Sequence, residues 1–311
     1  MEDVSDPPFR YVCKKHGADL MYTEFISSEG LIRDAMKSKQ KLDIFDYEKP
    51  IGIQIFGGDE EAMALSAKIV DATNPDLLDI NFGCPVKKVV CKGAGAGVLK
   101  DVELMVRLTK AVIKSTNLPV TIKTRLGWDD SMINIMEVAE RMQDIGVQAI
   151  TVHGRTRAQM YKGKSNWNYI ADVKNNPRMH IPIFGNGDVD SPETALENKN
   201  KYGLDGIMIG RASIGYPWIF NEVKHYFKTG THLAKPTIED RVDVCLTHFK
   251  KSIEWKGPKL GVLEMRPHYT NYFKGISHFK DTRMKLVTTD SIEEIEALLL
   301  SLPEKFQEMQ P

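Results

Sequence analysis

Leu77-Leu78-Asp79-Ile80-Asn81-Phe82-Gly83-Cys84-Pro85, with Gly93-Ala94-Gly95-Ala96-Gly97 a few residues on, is the stretch that decides the fold. An apolar strand (Leu77, Leu78, Ile80) runs into a turn that holds a cysteine between glycine and proline. The small-residue loop behind it leaves room for a flat or phosphorylated ligand close to the backbone. α/β enzymes place reactive groups at the carboxyl ends of strands. Free cysteine is also among the most buried residue types, so position alone leaves Cys84 open to a reactive or a structural reading.

Working outward, strand-like segments recur at Ala18–Tyr22, Ile51–Ile55, Val120–Lys123, Ala149–His153, Ile181–Phe184 and Gly206–Ile209. Helix-patterned segments lie between them. Asp59 precedes Glu60-Glu61-Ala62-Met63, and Ser191-Pro192-Glu193 puts proline at a first helical position. Asp130 or Ser131 is expected to open a helix whose apolar residues Ile135, Val138, Met142 and Ile145 stop at Gly146. Strands alternating with helices predict a parallel α/β sheet, and their number predicts a (β/α)8 TIM barrel. One strand is missing: the chain opens at Glu2–Pro8 in what would be the first βα loop, so a truncated start is expected. Beyond residue 235 the strands cease, and Val242, Cys245, Phe249, Ile253, then Ile292, Ile295, Leu298 and Leu299, follow helical spacing. The expected organisation is a barrel over 1–235 and an all-helical domain over 236–311.

The bulk composition narrows the class. The chain has 311 residues, 42% apolar and 27% charged, enough to bury a full core. No apolar run reaches the roughly 18 residues of a membrane helix, and Met1-Glu2-Asp3-Val4-Ser5-Asp6 has neither the basic nor the apolar part of a signal peptide. Cys13, Cys84, Cys91 and Cys245 form no disulfide pattern and no CxxC, so a reducing cytoplasm is expected and no metal site. Formal net charge is zero, so any surface for nucleic acid must be local.

Successive strand ends carry Gln54, Asn81 with Cys84, Lys123 with Arg125, His153 with Arg155, Asn186-Gly187-Asp188, and Gly210-Arg211. A merely structural barrel has no use for polar groups at six consecutive strand ends. Loops after the last two strands of a barrel commonly hold a phosphate on backbone N–H groups, and Arg211 adds a charge-assisted contact. The same residues also suit two ordinary tight turns.

Taken together, these residues resemble the tRNA-dihydrouridine synthase family, closest to its bacterial B-type members. The matching stretches are Asp6-Pro7-Pro8-Phe9-Arg10, Asn81-Phe82-Gly83-Cys84-Pro85, Lys123-Thr124-Arg125-Leu126-Gly127, His153-Gly154-Arg155-Thr156 and Gly185-Asn186-Gly187-Asp188, with Gly210-Arg211-Ala212, Met265-Arg266-Pro267-His268 and Tyr272-Phe273-Lys274-Gly275 later. The resemblance implies an FMN-containing barrel with a helical tRNA-binding domain. It implies NADPH as reductant, hydride transfer from flavin to C6 of a D-loop uridine, and Cys84 as proton donor to C5. It assigns Met1, Gln54, Asn81, Lys123 and His153 to the flavin, beside the phosphate loops. Expected tRNA contacts are Lys88, Arg125, Arg155, Arg157 and Lys164, and Arg266, His268 and Lys274 in the helical part; no obligate protein partner is expected. Two other readings stand beside this one. One is a dihydroorotate dehydrogenase-like flavin barrel acting on a free pyrimidine, and the other is a non-catalytic RNA-binding protein on the same fold.

Overall fold

The computed structural model describes residues 1–306. By its internal contacts the chain divides into two units. One comprises Met1–Glu2 and Leu20–Gly210, the other Asp3–Asp19 and the chain from Arg211 onward.

The first unit is built on ten strands. They are β1 (Met21–Tyr22), β2 (Ile26–Ser27), β3 (Ile51–Phe56), β4 (Leu77–Asn81), β5 (Val120–Arg125), β6 (Gly127–Asp129), β7 (Met132–Ile133), β8 (Ala149–His153), β9 (Ile183–Asn186) and β10 (Gly206–Met208). Eight form one sheet in the order β1-β3-β4-β5-β8-β9-β10, with β2 also on β3, every pairing parallel. Helices follow the strands, among them Glu60–Asp71, Val102–Ile113, Ile135–Asp144, Asn168–Asn175 and Pro192–Tyr202. This is TIM-barrel architecture; among the described residues β10 and β1 do not pair. Helix starts obey their caps. Asp59 accepts from Ala62 N, Asp101 from Leu104 N, and Ser191 from Thr194 N ahead of Pro192.

Two local expectations shift. The strand expected over 18–22 is only β1, and it resumes as β2. Between them Thr23 donates its N–H to Gly52 O and accepts from Gln54 N through its hydroxyl (3.1 Å), so the break is stitched to β3. The helix expected from Asp130 or Ser131 begins at Ile135. The residues before it form the β6–β7 hairpin, in which Asp129 accepts from Ser131 N and hydroxyl.

Register carries one parity across the sheet. Gln54 is level with Asp79 and Asp79 with Thr121; Asn81 is level with Lys123, Arg125 with His153, and His153 with Asn186. Because strand side chains alternate, these residues share one face. Ile53, Ile55, Leu78, Ile80, Ile122, Ile150 and Val152 take the other, fully buried. The helices cover that apolar face with Met63, Ala67, Val70, Met105, Leu108, Val138 and Met142, all fully buried.

The second unit joins segments that are far apart in sequence. Helix Pro7–Lys15, capped by Asp6 on Phe9 N (2.9 Å), packs on the long helical segment Ile238–Tyr272, which is interrupted at Gly257 (φ 80°). Gly17 lies so close to Asn221 that a Cβ there would collide with its side chain, and His16 meets Trp218 edge-on at 5.1 Å. The division therefore differs from the expected boundary at residue 235: residues 3–19 and 211–235 pack with the helical part, around Phe249, Tyr269, Tyr272, Leu286, Ile295 and Leu299. The last five residues of the expected helical domain lie outside the described residues.

His268, expected at the tRNA surface, is buried in this unit, with ring centroids 5.8 Å from Phe9 and 4.6 Å from His248. Burial, with Lys256 close by and only partly opposed by Asp6, holds its pKa down at about 4. Folded His268 is thus neutral where the unfolded chain binds a proton, so stability falls as pH drops from 6.5 toward 4. The loss attributable to His268 is about 3 kcal/mol at pH 4, because a pKa displaced by one pH unit corresponds to about 1.4 kcal/mol. Urea unfolding at pH 7 and pH 4.5 is expected to show a smaller acid loss in His268→Gln than in the parent; equal losses would refute the assignment.

Candidate active site

β3, β4 and β5 are tied by one chain of hydrogen bonds that runs from Thr121 to the turn at the carboxyl end of β4. Asp79 is fully buried; its Oδ1 accepts from Thr121 Oγ1 (2.5 Å) and its Oδ2 from Gln54 Nε2 (2.6 Å). Gln54 Oε1 accepts from Asn81 Nδ2 (2.8 Å), and Asn81 Oδ1 accepts from the backbone N–H of Gly83 (3.0 Å) and Cys84 (2.8 Å). The last pair is an Asx turn, which is why asparagine stands three residues before the cysteine. Arg125 grips the same turn through Nε to Gly83 O (2.7 Å).

The glycine run seals the turn from behind. It forms the short 3-10 segment Gly95–Lys100, and Ala96 N donates to Cys84 O (3.0 Å). A Cβ on Gly95 (φ 55°) would stand 2.9 Å from Cys84 O. These glycines therefore permit close packing on the cysteine turn, where the sequence suggested space for a ligand.

Cys84 is 7% exposed. Burial raises its thiol above the ordinary value, and Glu2 adds to this; the Val86 N–H on its sulfur, Arg125 and Lys123 act the other way. Lys123 is drawn down to about 8 by burial and by Arg125, with Asp79 and Cys84 opposing. Asp79 is lifted to about 6 by burial, against its two side-chain hydrogen bonds and Lys123. A thiol that keeps its proton thus lies in the turn beyond a face that holds an ammonium and a buried carboxylate, and the ammonium acts on it.

On β8 and β9, His153 is buried and Arg155 Nη1 lies 3.4 Å from its Nε2. Asn186 Nδ2 donates to Met208 O (2.9 Å). Gly187 has φ 123° and packs beside His153 Cδ2, where a Cβ would stand at 2.9 Å. At the end of the last strand, Met1 Sδ lies 3.6 Å from the Cβ position of Gly210. Arg211 is exposed and belongs to the second unit.

Two residues expected to touch tRNA are built into the frame. Arg125 is 2% exposed and also donates to Thr156 O (3.0 Å) and Met160 O (2.9 Å). Arg155, equally buried, donates to Lys162 O, Gly163 O and Ser165 Oγ, and pairs with both oxygens of Asp188 (2.9 and 2.7 Å). A planar fork with five donors suits this work: all three nitrogens of Arg155, and Nε and Nη1 of Arg125, meet acceptors in fixed directions. Lys88 and Lys164 are exposed. Arg157 is half-buried with its guanidinium 4.5 Å from the Trp128 ring centroid, and Lys100 lies 3.9 Å from the same ring. In the second unit Lys274 is exposed and Arg266 pairs with Asp290 (2.6 Å).

Comparison with known proteins bears directly on this arrangement. Residues 1–308 match the model of the family described as dihydrouridine synthase. The chain belongs to that family. It is 36% identical over 294 residues to tRNA-dihydrouridine synthase B of Pseudomonas aeruginosa, covering 94% of this chain and 88% of that one. It is 38% identical over 268 residues to the protein of the same name from Pseudomonas putida, covering 86% and 79%. Among solved structures, histamine dehydrogenase from Rhizobium sp. 4-9 shares the fold, with a TM-score of 0.53 at 11% identity. That match covers 78% of this chain but only about half (47%) of the histamine dehydrogenase chain. Within this dihydrouridine synthase fold, Asp79 and Thr121 were missed by sequence reading. The available signal was parity: Asp79 stands two residues before Asn81, on the same face.

Arg155→Lys keeps one positive charge but releases the carbonyls of Lys162 and Gly163. Trypsin cleavage after Lys162 or Lys164 is expected to quicken about tenfold, with the thermal midpoint lowered by only a few degrees, on the scale of about 1–3 kcal/mol for buried acceptors left without donors. Cleavage at the parent rate would show that the loop is held by other contacts.

Proposed function

We propose that this chain reduces a D-loop uridine of tRNA to dihydrouridine, with Cys84 as proton donor. The observation that carries the reading is a buried thiol held above its ordinary pKa, in the turn that follows Asn81, with Lys123 level with Asn81 and acting on the thiol, in a chain of this family. The donor set fits a planar, anionic heterocycle: two oriented amides, an imidazole and one ammonium on a single face. Gln54, Asn81, Lys123 and His153 would hold the ring of FMN, and the backbone at Asn186, Gly187, Asp188 and Gly210 its phosphate, with Met1 beside Gly210. FMN, when bound, supplies hydride to C6 of the uracil and is reduced again by NADPH.

Cys84 then has one task. Its thiol must keep its proton until C5 becomes basic, and burial keeps it protonated at neutral pH. After transfer the thiolate is met by the Val86 N–H, Arg125 and Lys123, the same groups that oppose burial. Solvent restores the proton, and the C5=C6 bond has gained one hydride and one proton. The base must leave its stack to reach such a site, which calls for an anchoring surface elsewhere. Lys88, Arg157 and Lys164 in the first unit, and Arg266 and Lys274 in the second, are proposed phosphate contacts, with exposed Tyr161 offering a stacking face. No helix among the described residues is long and apolar enough to cross a membrane. A cytoplasmic site of action accords with a tRNA substrate.

The test is nucleoside mass spectrometry after incubating protein, FMN and NADPH with dihydrouridine-free tRNA. Dihydrouridine is expected with the parent, and at least about a hundredfold less with Cys84→Ala. No product from protein that binds FMN would sink the tRNA reading and favour a free pyrimidine substrate.

Lys123 gives a second, binding-level test. Its ammonium is present below about pH 8 and lost above it. FMN affinity, followed by flavin fluorescence quenching, is expected to weaken about tenfold between about pH 6.5 and pH 9.5, the scale of one charge-assisted hydrogen bond. Lys123→Met should bind weakly at both ends of the range, and a pH-dependence surviving in that variant would remove Lys123 from the flavin.

A further inference from the structure

The hydrogen-bond chain from Asp79 to Cys84 is satisfied in only one direction. The Gly83 and Cys84 N–H groups can only donate, so Asn81 must turn its oxygen to them and its Nδ2 to Gln54. Gln54 must then accept through Oε1, which leaves its Nε2 in need of a buried acceptor. Asp79 is that acceptor, and Thr121 Oγ1 donates to its other oxygen. We propose that Asp79 is a positioning residue for the reaction at Cys84: its acceptor-only carboxylate fixes the Gln54 and Asn81 amides, and through them the Asx turn that presents the Cys84 thiol.

What the clamp needs is the acceptor facing Gln54, not the charge: a protonated Asp79 can turn its hydroxyl to Thr121 Oγ1 while its carbonyl still accepts from Gln54 Nε2. The groups facing Asp79 are Tyr22 on β1, Gln54 on β3, and Thr121 and Lys123 on β5. Burial pushes Tyr22 far above neutrality, and Lys123 stays charged below about 8. Asp79, at about 6, is the one of these groups that changes charge between about pH 5 and pH 7.5.

Backbone amide exchange on the substrate-free protein reads the clamp directly. Phe82 N–H donates to Lys123 O (2.8 Å), outside the chain of amides, and serves as internal control. In Asp79→Leu, of the same branched shape but with methyl groups in place of the acceptors, Gly83 and Cys84 N–H are expected to exchange about tenfold faster than in the parent, with Phe82 unchanged. Asp79→Asn restores an acceptor when its carbonyl faces Gln54, so protection should return at about pH 7.5. In the parent, protection of Gly83 and Cys84 should stay level between about pH 5 and pH 7.5, because both charge states of Asp79 offer Gln54 an acceptor. Parent-like exchange in Asp79→Leu, a parallel rise at Phe82, or exchange in Asp79→Asn as fast as in Asp79→Leu would each overturn the proposal. If Asp79→Leu does not fold, Gln54→Leu, which breaks the chain one link on, is read at the same three amides with the same outcomes. The inference rests on the reading of Cys84 as proton donor. Exchange needs no substrate, so Asp79-dependent protection without dihydrouridine product would sink that reading and leave the positioning role standing.

Discussion

Parallel pairing in register imposes one parity on neighbouring strands, and the chemistry of the first unit depends on it. From β3 to β9, Gln54, Asp79, Asn81, Thr121, Lys123, Arg125, His153 and Asn186 share a face because each pairs level with another member of the set. A slip of one residue in any of these strands would carry a polar group to the apolar face and an isoleucine to the polar one. The fully buried Ile53, Ile55, Ile80 and Ile122 make that slip costly, so the packing that stabilises the sheet also holds the polar groups in place.

Collecting ionisable groups on a buried face has an electrostatic consequence. Each group alone would be driven toward its neutral form, and burial is the leading cause of the shifts at Asp79, Cys84 and Lys123. Asp79 and Lys123 moderate each other, whereas Arg125 presses the same lysine downward. The thiol is left as the protonated member beside two cations, an arrangement suited to releasing a proton once and then stabilising the charge left behind. A nucleophilic cysteine asks the opposite of its surroundings, a thiol already ionised at rest.

Much of this was legible in the sequence, for physical reasons. Strand ends announce themselves where an apolar run stops at a polar residue: Asn81 and His153 close β4 and β8, and Gln54 and Lys123 stand two residues inside the ends of β3 and β5. The caps at Asp59 and Ser191 are local interactions and were read from local residues. What escaped depended on contacts distant in sequence. Helix Pro7–Lys15 looks like the start of a barrel loop until Phe9 meets His248 and His268. His268 looks like a surface ligand beside Arg266 until its burial is known, because helical periodicity through Pro267 does not reveal which face is covered. The glycines after Cys84 have the composition of a ligand loop, and only Ala96 N on Cys84 O reveals that they pack on the turn.

The two buried arginines point to a further division of labour. Arg125 and Arg155 direct their guanidinium donors into carbonyls and side chains of the loops around the site, and Arg155 closes on Asp188 with both arms. An arginine so committed has little left for a polyanion, and withdrawing it would strand Asp188 and several carbonyls without donors. Under the proposed function, contact with a phosphate backbone would fall to cations left outside this frame: Lys88 and Lys164 are exposed and Arg157 lies against Trp128. A formal net charge of zero is compatible with that arrangement. Screening over about 10 Å makes association sensitive to local charge more than to the total, so a few exposed lysines can act while acidic residues elsewhere balance them.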